Sequence, residues 1–200
     1  MTWQRLQPDD PRLAPSTDPA VALAHLSEAL VLGEAEHHRQ QVRDFVSRHP
    51  DAAERTNLLG HLTGSALVVD AQATRTLLML HRKLGRWFQP GGHADGDTSL
   101  PSVAWREASE ETGIAGLRVV VPAIDVDVHE VAPPGEAPHL HLDVRYLVVA
   151  PPGASEQGNE ESTALRWVRE TELDELEPAL DPSTRRLVRR GMEVARGLLG

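Results

Sequence analysis

Partway along the chain the hydrophobic period changes, and few architectures accommodate that change. Between residues 19 and 49 apolar side chains recur at helical spacing, with Leu23, Leu26 and Leu30 in one stripe and Val42, Phe45 and Val46 in another. Asp18 before Pro19 marks a helix start, an N-cap acceptor followed by a proline whose missing N–H costs nothing in the first turn. Gly33 separates the two helical segments, and His49-Pro50 ends the second, because proline disfavours helix in the residue before it. After Arg55 the pattern turns extended. His61 to Asp70 and Thr74 to Arg82 flank the turn-prone DAQA as a hairpin, and further strands are expected at Leu117 to Glu130, His139 to Ala150 and Leu165 to Val168.

Helices interrupt these strands. WFQPGGHADGDTSLP reads as a loop leading into a helix from Ser102 to Thr112 that Gly113 stops, and a helical turn at Glu170 to Leu176 precedes a last helix from Ser183 to Leu199. Strands and helices in this order predict an α/β sandwich. The first seventeen residues, rich in Pro, Asp and Ser, predict an irregular arm. A chain of 200 residues fits one domain with a modest extension, here divided into an arm and helical extension at 1–57 and a main domain at 58–200.

Charge and residue usage narrow the function. Lys and Arg number 20 against 30 Asp and Glu, a net charge of -10, which repels polyanions and argues against a nucleic acid polymer as partner. The basic stretch from Arg185 to Arg190 alternates with apolar residues at helical spacing and reads as a solvated helix face. Without cysteine there is no disulfide, no thiolate nucleophile and no Cys-based zinc site, which suits a cytoplasmic location. The N-terminus lacks a basic start followed by an apolar core, and no apolar run is long enough to span a membrane, so a soluble, unprocessed protein is expected.

The stretch from Gly91 to Ile114, GGHADGDTSLPSVAWREASEETGI, holds the chemistry. Glu107, Glu110 and Glu111 stand at i, i+3 and i+4 of the expected helix, so their carboxylates share one side. Exposed like charges at that spacing repel by roughly 0.2–0.5 kcal/mol per pair, and a hard divalent cation is the natural compensation. Ala104 and Ala108, toward the opposite side, let the helix lie close to the sheet. A bare ExxEE is more often a solvated face, but Gly91-Gly92 before the helix, Arg106 before the first glutamate and Gly113 after the last occur together.

That combination resembles the Nudix box, whose pattern is Gly, five residues, Glu, seven residues, then Arg-Glu-U-x-Glu-Glu-x-Gly-U, with U a bulky apolar residue. Counting from Gly92 brings Arg106, Glu107, Glu110, Glu111, Gly113 and Ile114 into register, with the smaller Ala108 at the first U. One position departs: the family's first Glu falls on Thr98, which leaves the support of the other carboxylates to Asp95 or Asp97. The entry Trp87, Pro90, Gly91, Gly92 and a later Glu161 and Trp167 also look Nudix-like. The resemblance implies a Nudix-like α/β/α sandwich around a mixed β-sheet, with the helical extension added before it.

The resemblance further implies Mg2+ or Mn2+ held by Glu107, Glu110, Glu111 and the main-chain carbonyl of Gly91, with Arg106 orienting the carboxylates. It implies a pyrophosphatase-type hydrolase in which water, activated by a glutamate, attacks phosphorus in a small phosphoanhydride such as a nucleoside diphosphate derivative. The base is either a box glutamate or one from a later loop, here Glu160 or Glu161 in GNEES. Arg82, Arg86 and His93, close to the box in sequence, are candidates to contact phosphates.

A second polar set alternates with apolar residues: Asp125, Asp127 and His129 in DVDVHE, and His139, His141 and Asp143 in HLHLDVR. Pairing of the two strands through VAPPGEAP makes the trios neighbours, a face that either lines the substrate pocket or binds a further ion. The competing function is a catalytically silent Nudix-like ligand-binding module, motivated by Thr98. Isoprenyl diphosphate isomerisation, found in one branch of that family, relies on a cysteine absent here. The helices of residues 19–49 either cap the pocket or pair with a second copy as a homodimer.

Overall fold

In a computed structural model, residues 2–133 and 135–199 are described, and helices and strands follow the expected order. Asp18 caps α1 (Pro19–Glu28) by accepting from the Ala20 N–H at 2.9 Å, and α2 (Glu34–Arg48) ends at His49. The arm before them adds a two-residue strand, β1 (Gln4–Arg5), to the sheet edge.

The expected hairpin is β2 (Gly60–Val69) and β3 (Thr76–His81), paired through Val68 with Leu77. The segment expected as loop contains two three-residue strands, β4 (Arg86–Phe88) and β5 (Gly91–His93), too short to leave a period in the sequence. α3 (Leu100–Thr112) begins two residues earlier than expected, with Pro101 in its first turn, and ends on a left-handed Gly113. β6 (Arg118–Val131) and β7 (His139–Val149) form the second hairpin, whose loop VAPPGEAP includes Pro134, outside the described residues. β8 (Ser162–Val168), a 3-10 turn at Glu170–Glu175 and α4 (Pro182–Leu199) complete the chain.

Among the described residues the strands make one mixed sheet in the order β1-β6-β7-β2-β3-β4, with β5 added to β2 and β8 to β3. β2 and β7 run parallel at its centre, and β2 is buried along its whole length, as a strand covered on both faces should be. Alternate residues of β2 enter different cores. Ala66 and Val68 join Val103, Ala104 and Ala108 of α3 and the buried Ala22, Leu26, Val42 and Val46 of α1 and α2. Leu67 and Val69 instead meet Leu187, Val188 and Met192 of α4. This is the α/β/α sandwich, and Leu26, Val42 and Val46 of the two helical stripes are buried within the chain's own core, with Leu23 and Phe45 partly buried against it.

Close approach of α3 depends on Gly64, where a Cβ would stand 2.8 Å from Val103 Cγ1 and 3.0 Å from the Ala104 nitrogen. The face under α4 changes character along the strands. Leu67, Val69, Leu147 and Val149 are core, whereas Thr63, Ser65, Asp143 and Arg145, on the same face of the same two strands, line a cleft. The helix covers only half of this face, and the uncovered half carries the polar residues.

Candidate active site

The box glutamates are fixed from both ends of their side chains. Ala104 and Ala108 are fully buried against the sheet, which turns Glu107 and Glu111 toward β5. Glu111, only 4% exposed, accepts a hydrogen bond from the Gly91 N–H at 2.8 Å. The Glu107 carboxylate lies where a Cβ on residue 92 would project, so any larger residue there would displace it from its present position. Arg106 Nη2 donates to the His93 carbonyl at 2.7 Å and to Glu107 Oε1 at 2.9 Å, clamping α3 to β5. Glu110, one turn outward, is exposed.

These carboxylates have too little positive charge near them. Burial first, then the charges of Glu107, Glu161 and Glu110, push Glu111 up to about 8 against the opposing Gly91 hydrogen bond. Burial likewise raises Glu107, against the Arg106 hydrogen bond and charge. A buried, electron-rich oxygen set facing a cleft is the donor chemistry that Mg2+ or Mn2+ accepts, so the residues present fit such an ion.

The cleft beside them holds about 610 Å³. Glu161 lines it and contributes to the raised pKa of both glutamates, whereas Glu160 does not line it and offers its carbonyl to Arg82 Nε at 2.7 Å. Arg82 also donates to the Ser162 carbonyl at 3.0 Å, so it staples the start of β8 and is not a cleft residue. Arg86, His93, His129 and His141 do line the cleft, and His139 is buried behind it. Arg55, which no local pattern singles out, lines the cleft while paired with Asp95.

Thr98 is used differently from the glutamate it replaces. Its Oγ1 donates to the carbonyls of Ser16 at 3.0 Å and Asp18 at 2.8 Å, tying the arm to the loop before α3. Asp97 accepts from the Ser16 and Ser99 N–H groups, and Asp95 is held by Arg55. Neither aspartate makes the expected replacement contact with Arg106 or the box glutamates; the Arg106 bond to the His93 carbonyl does the bracing.

The second polar set forms the hairpin face its alternation predicts, with Asp127 opposite Asp143 and His129 opposite His141. Its centre is Arg145, opposite Asp125 and 3% exposed, which contacts Asp143 at 2.7 Å, Asp125 at 3.1 Å and Asp127 at 3.2 Å. Arg145 continues the alternation of HLHLDVR and was readable there as the partner of the aspartates. Arg186 of α4 adds a 2.8 Å contact to Asp127 and a 3.2 Å contact to Asp125, so the basic stretch is not uniformly solvated: one arginine of the helix is drawn inward by buried carboxylates. Burial works to raise Asp127, but the His129 hydrogen bond, the Arg145 charge and the Arg186 hydrogen bond outweigh it and hold it far below the usual carboxylate range.

Histidines form the third feature. Parallel pairing sets His61 of β2 beside His141 of β7, with His139 two residues before it on the same face. The ligand atoms of these three lie within 4.8 Å of one another, the one such group among the described residues. Burial lowers His141 to about 3, and burial with the Arg55 charge lowers His93 to about 4, so both rings are neutral near pH 7. His61 escapes local reading because only the long-range register of β2 against β7 brings it here.

Comparisons with known proteins agree with this architecture. A family model described as NUDIX domain matches residues 61–191, starting after α2. Among solved structures, a MutT NUDIX hydrolase from Burkholderia pseudomallei is 27% identical, with a TM-score of 0.52 over 66% of this chain and 97% of its own. A NUDIX-family hydrolase from Clostridium perfringens is 22% identical, with a TM-score of 0.54 over 69% of this chain and 97% of its own. An Ap4A hydrolase from C. elegans, 18% identical, shares the fold with a TM-score of 0.54 over 68% of this chain and 98% of its own. No curated protein matches the chain.

Proposed function

The chain belongs to the NUDIX family and is a Nudix-type hydrolase, and from that premise we propose that it cleaves the pyrophosphate linkage of a nucleoside diphosphate derivative with a divalent cation. The observation that carries the reading is the surplus of negative charge where Glu107, Glu111 and Glu161 meet one cleft, which Arg55 and Arg86 also line. Mg2+ or Mn2+ would be held by Glu107, Glu110, Glu111 and the Gly91 carbonyl. When bound, such an ion polarises phosphoryl oxygens and lowers the pKa of water.

The chain's own residues supply the rest. Arg106 orients Glu107, and the Gly91 N–H orients Glu111. Glu161, in the cleft, is the general base that takes the proton of the attacking water. Arg55 and Arg86 bind phosphate oxygens by charge-assisted hydrogen bonds, and Met79, Leu84 and Phe88 give the same cleft an apolar wall for a base or other flat group. The C. elegans relative in fold is named for a dinucleoside polyphosphate, a substrate of the same chemical class. On this reading residues 1–57 are an extension that braces the box loop through Thr98, and the protein works in the cytoplasm on small molecules. Among the described residues no helix is long and apolar enough to cross a membrane.

The test is phosphate or nucleotide release from a panel of nucleoside diphosphate derivatives with Mg2+ or Mn2+, beside Glu111→Gln and Glu161→Gln. Turnover that falls steeply in both folded variants is expected. Ligand binding that survives a chelator and Glu111→Gln, with no turnover in any condition, would instead establish a silent binding module.

A further inference from the structure

Buried imidazoles without partners need an explanation, because an unsatisfied buried polar group is costly and rare in a folded protein. His61 is 3% exposed, and neither ring nitrogen makes a well-formed hydrogen bond, although the Asn57 carbonyl is close enough to favour a proton on one of them. Nε2 of His141 is likewise buried and without a partner. His139 differs in a telling way. Its Nδ1 lies 2.9 Å from the Ala137 carbonyl, an oxygen that can only accept, so Nδ1 carries the proton and Nε2 is left with a free lone pair. A backbone carbonyl that fixes the tautomer of an imidazole in this way is the usual outer support of a metal-bound histidine.

The rings are also arranged to converge. His61 and His139 have centroids 4.8 Å apart, His61 and His141 5.1 Å, and His139 and His141 5.5 Å, all tilted by 40–50° and none stacked. Neither His61 nor His139 lines the cleft, so a substrate there does not satisfy their nitrogens. The His93 ring stands 4.9 Å from His61 and 5.0 Å from His141 on the cleft side, within reach as a fourth imidazole.

We propose that His61, His139 and His141 bind a borderline divalent transition metal, with Zn2+ as the reference ion, at a site separate from the glutamates of α3. Imidazole nitrogen suits zinc, nickel, copper and iron, whereas Mg2+ and Mn2+ favour the oxygen-rich carboxylate site. The metal ties the start of β2 to the start of β7 behind the cleft and takes one nitrogen of each ring, which leaves the other His61 nitrogen to face the Asn57 carbonyl. The inference goes beyond the hydrolase reading and does not depend on it.

Untagged full-length protein, stripped with a chelator, is titrated with Zn2+, and with Co2+ for its visible spectrum, without Mg2+ or any phosphate compound. Stoichiometric binding is expected. His61→Gln and His139→Gln, each checked for cooperative unfolding, should weaken it beyond the roughly 10–100-fold that loss of an outer supporting partner costs. Glu111→Gln should leave the Zn2+ affinity and the Co2+ spectrum unchanged, which separates this site from the carboxylates. Should the histidine variants not fold, wild-type imidazole nitrogen resonances answer the question: those of His61, His139 and His141 shift with Zn2+, and those of the exposed His37 do not. Absence of binding, binding unaltered in folded variants, loss in Glu111→Gln, or unshifted imidazole signals would each overturn the proposal.

Discussion

Two sets of three carboxylates gather at one cleft, all of them lining it except the buried Asp125, and the protein treats the two sets in opposite ways. Asp125, Asp127 and Asp143 surround the buried Arg145, with Arg186 added from α4. Glu107, Glu111 and Glu161 have one ion pair among them, Arg106 with Glu107, and Arg55, already paired with Asp95, adds only longer-range attraction to Glu107 and Glu161. Accordingly Asp127 is held far below the usual carboxylate range and Glu111 is pushed up to about 8. The lesson is that acidic clustering has no meaning until the cations are counted. Where the chain supplies them, the cluster is a strut between β6, β7 and α4; where it withholds them, the cluster awaits a cation from outside.

The strongest way to break this contrast is to remove the internal cation. Arg145→Met leaves three buried carboxylates without their shared partner, and removal of one member of a buried ion cluster costs about 3–5 kcal/mol. Urea unfolding should show that loss, or no folded protein at all. A variant as stable as the parent would mean that the aspartates are neutralised in some other way and that the two clusters are not opposites.

The matching change in the other cluster should act on turnover and not on the fold. Glu111→Gln keeps the shape and the Gly91 hydrogen bond but removes the charge that binds the ion, so turnover should fall on the order of 10²–10³-fold, the usual loss when a charge-stabilising group is deleted. Thermal unfolding of the metal-free variant should occur no lower than that of the parent. A large drop in melting temperature would make Glu111 a structural residue like Asp143, and the comparison would fail.

What the sequence revealed follows the same division between local and distant contacts. Arg106, Glu107, Glu110 and Glu111 lie on one short helix flanked by glycines, so their spacing alone defines them, and the 2.0 period of DVDVHE and HLHLDVR correctly predicts a shared face. The parallel register of β2 with β7 joins residues 80 positions apart, and therefore His61 and the Ser65 hydroxyl that meets Asp143 at 2.8 Å had no local signature. Arg186 looked like one more surface base because the carboxylates that draw it inward lie about sixty residues away in sequence. Thr98 registered only as a departure from a pattern; its hydrogen bonds to Ser16 and Asp18 become visible once the arm is folded against the loop.

pH sharpens the contrast because the two clusters have opposite signs. The depressed pKa of Asp127 gives stability that is present above its unfolded value of 3.8 and is lost as pH falls toward the folded value. For Glu111 the folded pKa, about 8, lies above the unfolded value of 4.5, so its contribution is complete below 4.5 and declines as pH rises through about 8. Metal-free protein should therefore lose stability between pH 5 and pH 8, by up to a few kcal/mol at about 1.4 kcal/mol per unit, and Glu111→Gln should flatten that limb while leaving the acid limb in place. Urea midpoints at the two pH values measure it, and an identical decline in both proteins would assign the limb to another group.

The smallest effect is the most specific. At pH 7 the ion-free Glu111 lies below its pKa of about 8 and keeps its proton most of the time, yet a carboxylate must be ionised to bind a cation. Mg2+ binding should then release a proton, fewer than about one per chain, seen calorimetrically as a binding heat that changes with the ionisation enthalpy of the buffer. Mg2+ has no reason to release a proton through Asp127, which is already ionised and paired with Arg145 and Arg186. Buffer-independent heat in the parent, or equal proton release in Glu111→Gln, would show that the cation enters somewhere other than the glutamates of α3.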